Sequence, residues 1–538
     1  MAQTLQSHLS VLSASASLYA SLPAFRVPRS DLQSGEPQDW EPVTYAQFER
    51  DVELYARHWA RVLKRNSIPQ RSVIGMWIGG LTYTDVLQIY GLSRAGFVPQ
   101  LFSIRLPNPV IIYELLEKAN SKGLIFDSSF KSAVEDCPLP TYPAVNIDET
   151  DTQDEPLPVL STVIDPDDVL FVFHTSGSTS NSPKLVPCTR KWVNAAILKS
   201  RIVGKPKVDG SRDVTVWMGS MSHIGQSFMF LGSMQHGACT IQPTKINFSP
   251  DELAQMITRC GLNRLNQFAA FLAMMIRNSR QNPKLLSLLR SLDEILYSGL
   301  QLPRDEEQFA YANGLKLKNL FGNTECGAML LSVGGTGPTA SLLCALDTTS
   351  YAFFPITSNQ SEAGHKSTTS QMVELVILSD SGDCPHPSLR ASDGHFHTGD
   401  LFLEVQPNSY VFRGRDDDWI KSENSLRCDT KAIEDNVRLT CSELISDCIV
   451  VGNGRPSPVL FVEPASDGDH TKLKREILRR TRQFHSRRYL HERITSATMI
   501  VVVERGSLPR TTTKGNIRRK AVEEIHKGLL DRIHGVAF

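Results

Sequence analysis

The chain has 538 residues, 41% of them apolar and 21% charged, with Lys+Arg and Asp+Glu balanced at 57 each. That length exceeds one ordinary core and predicts two or three domains. The neutral balance excludes a global basic field for nucleic acid or a membrane surface, and no apolar run approaches the length of a transmembrane helix.

Residues 2–26 are rich in Ser, Ala and Leu, with one arginine and no acidic residue. Without a continuous apolar stretch they read as an amphipathic helix rather than a transit peptide. Tyr45, Phe48, Val52, Tyr55, Ala56 and Trp59 recur at helical spacing and predict a helix over 45–64, with Thr44 and Gln47 as its capping box. A buried strand at 73–78, a helix at 83–94, a short strand at 97–101, a helix at 111–118 and a strand at 123–126 follow. This β-α-β alternation predicts parallel sheets covered by helices. Residues 136–167, rich in Pro and Asp, read as an exposed connector before a buried strand at 169–173. The rhythm resumes over 214–296, with a strand at 238–241 and a helix at 250–260. Residues 333–370 are rich in Gly, Ser and Thr and predict irregular surface structure; 410–412 predicts a strand. The chain's character changes at Asp416-Asp417-Asp418, and the expected boundary divides a core, 1–416, from a small α+β module, 417–538. Within the module, strands are expected at 448–451, 458–462 and 498–503, and helices at 431–440, 473–484 and 517–533. Ten scattered cysteines contain no Cys-x-x-Cys pair, which argues against a zinc site or a disulfide framework and fits a reducing compartment, the cytoplasm by default.

The most informative stretch follows the strand at 169–173. It holds Thr175, Ser176, Gly177, Ser178, Thr179, Ser180 and Ser182 and closes with Lys184. Glycine permits close backbone approach, while hydroxyls and amides can cradle phosphate oxygens and lysine adds a point charge. It is not a Walker A loop, which needs Gly-Lys-Ser/Thr opening a helix. Taken alone, the stretch also reads as a Ser-rich surface linker.

Four further segments stand in order behind it: Phe321-Gly322-Asn323-Thr324-Glu325, His397-Thr398-Gly399-Asp400, Phe412-Arg413-Gly414-Arg415-Asp416-Asp417, and Leu508 to Gly515 with Lys514. Together with Thr175–Lys184 they resemble the ordered motifs of the adenylate-forming superfamily. That family comprises acyl- and aryl-CoA synthetases, adenylation domains of nonribosomal peptide synthetases, and beetle luciferases. The resemblance implies an α/β fold: a large N-terminal domain of parallel-rich sheets flanked by helices, and a small mobile α+β lid.

It also implies a chemistry. A carboxylate attacks the α-phosphorus of ATP, so two anions must meet and pyrophosphate must leave; cations and hydrogen-bond donors have to be placed beforehand. By resemblance, the 175–184 loop holds the β- and γ-phosphates, Thr324 contacts the α-phosphate and Glu325 holds Mg²⁺, a hard cation suited to carboxylate. Phe321 stacks near adenine, with Gly322 and Phe412 beside it, and Asn323 bonds the base edge. Asp400 accepts from the ribose hydroxyls; its alternative is a cap on the turn after Gly399. Arg415 reaches the nucleotide, or is a surface arginine. Lys514 bridges the acid and the α-phosphate, with Arg518, Arg519 and Lys520 as possible substitutes, and Asp417 is the hinge. The family writes Gly-Lys where this chain writes Lys514-Gly515, has a glycine after Pro-Lys where Leu185 stands, and has a glycine where Asn424 stands.

The acid pocket is expected to use His223, Ile224, Gly225, Phe228, Ser298, Gly299 and Leu300. Ile224 falls where amino-acid-activating domains carry an aspartate for the substrate ammonium. An isoleucine cannot neutralise that charge, so an aryl or alkyl acid is expected instead of an α-amino acid. His223 occupies the aromatic gate position, or is a hydrogen-bonded core histidine. Three functions stay open at this point: an acid–thiol ligase using ATP, Mg²⁺ and CoA; an adenylation enzyme loading the phosphopantetheine of a carrier protein in trans; and a catalytically silent nucleotide-binding homologue.

Overall fold

The computed structural model describes residues 5–30, 37–104, 106, 108–147, 152, 155–160, 165–175, 183–356, 372–416, 419–421, 427–486, 488, 490–510 and 517–534. Helices begin where the sequence offers side-chain acceptors to the orphan amides of a first turn. Thr44 Oγ1 accepts from Gln47 N at 3.2 Å to open Tyr45–Arg65, without the reciprocal bond of a full capping box. Thr82 and Asp85 form such a box at the start of Tyr83–Arg94. Ser249 caps Pro250–Cys260, which ends on the left-handed Gly261.

Helices that alternate with short apolar strands cover sheets of 6 and 13 strands. In the first, Thr141–Pro143, Leu124–Phe126, Val73–Trp77, Val98–Phe102 and Val169–His174 run parallel, and Leu185–Thr189 returns antiparallel at the edge. In the second, Cys239–Ile241, Val214–Val216, Arg264–Phe268, Glu294–Ser298 and Leu317–Asn323 form a parallel block. It extends antiparallel through Gly327–Ser332, Leu343–Ala345, Ser409–Arg415, Phe396–Gln406, Met372–Ile377 and Tyr351–Pro355. The largest core is aromatic: the ring of Phe25 meets those of Phe48, Tyr83, Trp217 and Phe230 at 5.0–6.0 Å. The N-terminal helix is His8–Leu18, and it buries Val11, Leu12, Ser15 and Ala16.

The last 120 or so residues build a separate layer. Ile445–Val451, Val459–Pro464 and Ile500–Val502 form a three-stranded sheet whose alternation fills two small cores. Cys448, Val450, Leu460 and Val462 face Ile433, Val437 and Ile477 from the helices Thr430–Thr440 and His470–Ser486. Ile449, Val451, Val459 and Phe461 face Val522 and Leu530 from Arg519–Ile525 and Lys527–Ile533. The chain is therefore α/β with a large sheet-rich N-terminal part and a smaller C-terminal one.

Several local expectations need correction. The 136–167 stretch contains the edge strand Thr141–Pro143, where Tyr142 is buried. The strand at 169–174 buries only Val172 and Phe173. Residues 333–356 contribute two strands despite their polar composition: Leu343–Ala345 pairs with Gly327–Ser332, and Tyr351–Pro355 stacks Phe353 on Tyr410 and packs Tyr351 against the same core. The helix expected over 517–533 is divided at His526, whose ring lies 4.8 Å from Phe461, and Gly528 follows in the second piece. Arg519 is no solvated substitute for Lys514. Its guanidinium pairs with Glu434 at 2.6 Å, both side chains being under 10% exposed.

Candidate active site

The antiparallel strands Val169–His174 and Leu185–Thr189 fix the two ends of the Ser-rich loop. Thr175 N donates to Lys184 O at 2.9 Å and Lys184 N donates to Thr175 Oγ1 at 3.2 Å, so both predicted residues form the loop's base. His174 buttresses it: Nε2 accepts from Ser103 N at 3.3 Å and Nδ1 faces Thr175 O at 3.3 Å. Burial lowers the imidazole pKa, against the opposing bond to Thr175. Ser176, Gly177, Ser178 and Thr179 lie outside the described residues, as do Asp417 and Lys514.

The helix Arg190–Val203 follows directly and reaches the second motif. There Leu317–Asn323 reverses into Gly327–Ser332 through Thr324-Glu325-Cys326. Asn323 Oδ1 accepts from Cys326 N at 2.8 Å, so its oxygen braces the turn. Gly322 is there because a Cβ would sit 2.3 Å from Gly327 O. Beneath the turn, Trp192 Nε1 donates to Glu325 O at 2.9 Å. Lys199 Nζ donates to Cys326 O at 2.8 Å and to Ala328 O at 2.5 Å, and it pairs with Asp383 Oδ2 at 2.6 Å. Burial raises the Asp383 pKa, but the Lys199 charge and hydrogen bonds from Lys199, Ser381 and Tyr351 outweigh it and hold the carboxyl below the usual range.

The rings of Phe321 and Phe412 lie 4.9 Å apart, and Phe402 lies 5.2 Å from Phe321. Asp400 and Arg415 are cross-strand partners in the adjacent hairpin, with Oδ1 and a guanidinium nitrogen 3.6 Å apart. Asp400 is 5% exposed, so it is a buried carboxylate rather than a surface turn cap. Gly399 has φ +69° and leaves room for Arg415, whose terminal nitrogen would be 3.3 Å from a Cβ. His397 bonds Asp393 at 2.9 Å and Glu374 at 3.2 Å; the Asp393 hydrogen bond leads in raising its pKa.

Among the residues expected to line an acid pocket, His223 caps the helix Ile224–Gln235 by accepting from Gly225 N at Nδ1, 3.1 Å away. Its ring meets Phe268 edge-on at 5.2 Å. Ile224 and Phe228 are buried and line, with His8 and Met221, a cavity of about 30 Å³. Ser298 Oγ donates to Leu320 O at 2.7 Å; Gly299 is exposed and Leu300 is 48% exposed at the rim. Phe268 was not evident in the motifs, yet Gly219 and Gly299 both face it at distances that a Cβ would crowd to 2.8 and 3.3 Å. Its position at the end of a parallel strand, in register with Ser298, is where ligands gather in such sheets.

The residues present suit a nucleotide with its metal. An aromatic pair adjoins the buried Asp400 carboxylate with its more exposed Arg415 partner, and one half-buried carboxylate, Glu325, stands on a braced turn. Among the described residues no group of three metal-binding side chains occurs, and Mg²⁺ bound through phosphates needs only one or two carboxylates.

Residues 19–348 match the AMP-binding enzyme family and residues 417–535 match the AMP-binding enzyme C-terminal domain. The AMP-binding domain-containing enzyme iboA of Amanita muscaria is 37% identical over 492 residues, covering 89% of this chain and 94% of that relative. The o-succinylbenzoate CoA synthetase MenE of Bacillus subtilis, in complex with the acyl-adenylate intermediate OSB-AMP, shares the fold with a TM-score of 0.74 at 16% identity, covering 97% of this chain and 99% of that one. The anthranilate CoA ligase AuaEII in complex with anthranoyl-AMP gives a TM-score of 0.72 at 16% identity, covering 97% and 98%. ATP-bound MatB from Rhodopseudomonas palustris gives 0.72 at 15%, covering 96% and 99%.

Proposed function

Because the chain belongs to the AMP-binding enzymes of the adenylate-forming superfamily, we propose that it is an acid–thiol ligase that makes an acyl-AMP and passes the acyl group to CoA. In the first half-reaction a carboxylate oxygen of the acid bonds to the α-phosphorus of ATP. The bond from that phosphorus to the β-bridging oxygen breaks, and pyrophosphate leaves. In the second, the thiol sulfur bonds to the acyl carbon, AMP leaves and the thiol proton goes to solvent. Magnesium, when bound, supplies charge neutralisation at the phosphates.

This chain's residues take the remaining tasks. Thr175, Ser176, Gly177, Ser178, Thr179 and Lys184 hold the terminal phosphates, Thr324 the α-phosphate and Glu325 the metal. Phe321, Gly322, Asn323 and Phe412 receive the base; Asp400 and Arg415 receive the ribose. His223, Ile224, Gly225, Phe228, Ser298, Gly299 and Leu300, with Phe268 added, surround an aryl or alkyl acid. A buried Ile224 offers no counter-charge to an α-ammonium, and stranding such a cation is costly. Lys514 offsets the repulsion between the two anions, and 417–538 turns about Asp417 so that one site serves both steps. Ten thiols without a disulfide suit a cytoplasmic enzyme.

The observation that carries this reading is the buried Asp400 paired with Arg415 next to the Phe321–Phe412 rings and the Thr324-Glu325 turn. The test is product analysis with ATP, Mg²⁺ and a panel of benzoic, cinnamic, short-chain and long-chain acids, with and without CoA. The reading expects AMP and an acyl-CoA. Formation of AMP and acyl-AMP with CoA left unacylated would move the acceptor to a carrier protein's phosphopantetheine.

A further inference from the structure

Lys199 and Asp383 are each 1% exposed, and neither belongs to any motif that the chemistry above uses. All three protons of the ammonium are accounted for, by the carbonyls of Cys326 and Ala328 and by Asp383. The carboxylate is equally committed, because Tyr351 OH donates to the same oxygen as Lys199 and Ser381 Oγ donates to the other. A fully satisfied ion pair of this kind adds little net stability compared with apolar residues of similar volume. What it does provide is direction. The two carbonyls belong to residues one and three places after Glu325, where the ladder is irregular between Phe321 and Gly322.

Trp192 adds the third bond, to Glu325 O itself, and stands two helical turns before Lys199 on the same face of Arg190–Val203. That helix begins where the strand leaving the phosphate loop ends. Consequently the loop's outgoing arm and the Glu325 turn are joined through one rigid element.

We propose that Lys199, anchored by Asp383, is a positioning residue for adenylate formation that fixes the main chain around Glu325 relative to the strand Leu185–Thr189. This rests on the reading of Glu325 as the metal carboxylate. Without the anchor, the turn and the strand lose their common frame, and metal affinity in the presence of nucleotide falls before the fold does.

The experiment compares the parent with Lys199→Met/Asp383→Asn, which strands no buried charge, and with Tyr351→Phe, which removes one hydrogen bond from the anchor. Manganese binding is followed by electron paramagnetic resonance with and without ATP, beside thermal melting. The expected result is a roughly tenfold rise in the half-saturating Mn²⁺ concentration with ATP in the double variant, a two- to threefold rise in Tyr351→Phe, and ATP affinity without metal unchanged. Parental Mn²⁺ affinity in a folded double variant, even with a lower melting temperature, makes the pair merely structural and overturns the inference alone. If the double variant does not fold, parental affinity in Tyr351→Phe overturns it. A parent that binds no ATP-dependent Mn²⁺ removes both the inference and the functional reading beneath it.

Discussion

Replacing Gly322 with alanine probes the proposed nucleotide site through a single added methyl group. The new Cβ would lie 2.3 Å from Gly327 O and 3.0 Å from Ala328 Cα, both main-chain atoms of the returning strand. Ordinary contact requires the two arms of the turn to part by roughly 1 Å, because no flexible side chain is available to yield. Overpacking of this sort costs about 1–3 kcal/mol, a few degrees in melting temperature, and leaves a chain of this size folded. The functional cost is larger. A shift of about 1 Å in catalytic groups is worth roughly 100-fold in rate, and Thr324 and Glu325 ride on the displaced arm. Gly322→Ala is therefore expected to lower the rate of acid-dependent pyrophosphate–ATP exchange about 100-fold. Gly337→Ala, where a Cβ meets nothing within 4 Å, is the matched control and should behave as the parent. Exchange by Gly322→Ala within about threefold of the parent would show that this turn does not position the reacting groups.

Asp400→Asn removes the charge that Arg415 faces and that a ribose diol would donate to. Its ATP dissociation constant, measured by calorimetry, should rise about 10-fold or more, the worth of one charge-assisted hydrogen bond, and an unchanged value rejects that contact. Lys514→Ala should nearly abolish adenylate formation while sparing ATP binding, and a variant with parental exchange rates shows that another cation serves. His8 is buried, neither ring nitrogen has a hydrogen-bond partner among the described residues, and burial followed by the Arg190 charge lowers its pKa to about 3. Unfolded, the imidazole takes a proton below about 6.5, whereas the folded form does not until about 3. The unfolded state then binds more protons, so stability falls as pH drops through that window. His8→Phe keeps the ring contacts to Tyr90 and Phe171 and should flatten this acid limb and raise the melting temperature. An acid melting profile identical to the parent's would show that His8 contributes nothing to it.

Local chemistry made much of this architecture legible. The helices Tyr83–Arg94 and Pro250–Cys260 match their predicted limits because caps, first-turn acids and Gly261 mark both ends. The small module's strands were readable because each alternates between two cores. Thr141–Pro143 escaped notice because prolines at a sheet edge look like a linker, and Tyr351–Pro355 because its partners come from 372–377. At the site, contiguous motifs pointed to Asp400, Arg415, Phe321 and Glu325. Lys199, Asp383 and Phe268 carried no such signal, since Lys199 meets its carbonyl and carboxylate partners 127 to 184 residues away. A lysine at the apolar position two turns from Trp192 was the one available clue.

The chemistry stands or falls on whether a carboxylic acid makes this chain exchange labelled pyrophosphate into ATP. At least one acid of the panel should stimulate exchange well above the acid-free rate, with AMP rather than ADP as the nucleotide product. ATP bound at the Phe321–Asp400 site with no acid stimulating exchange, or cleavage to ADP and phosphate, would contradict acyl-adenylate formation outright.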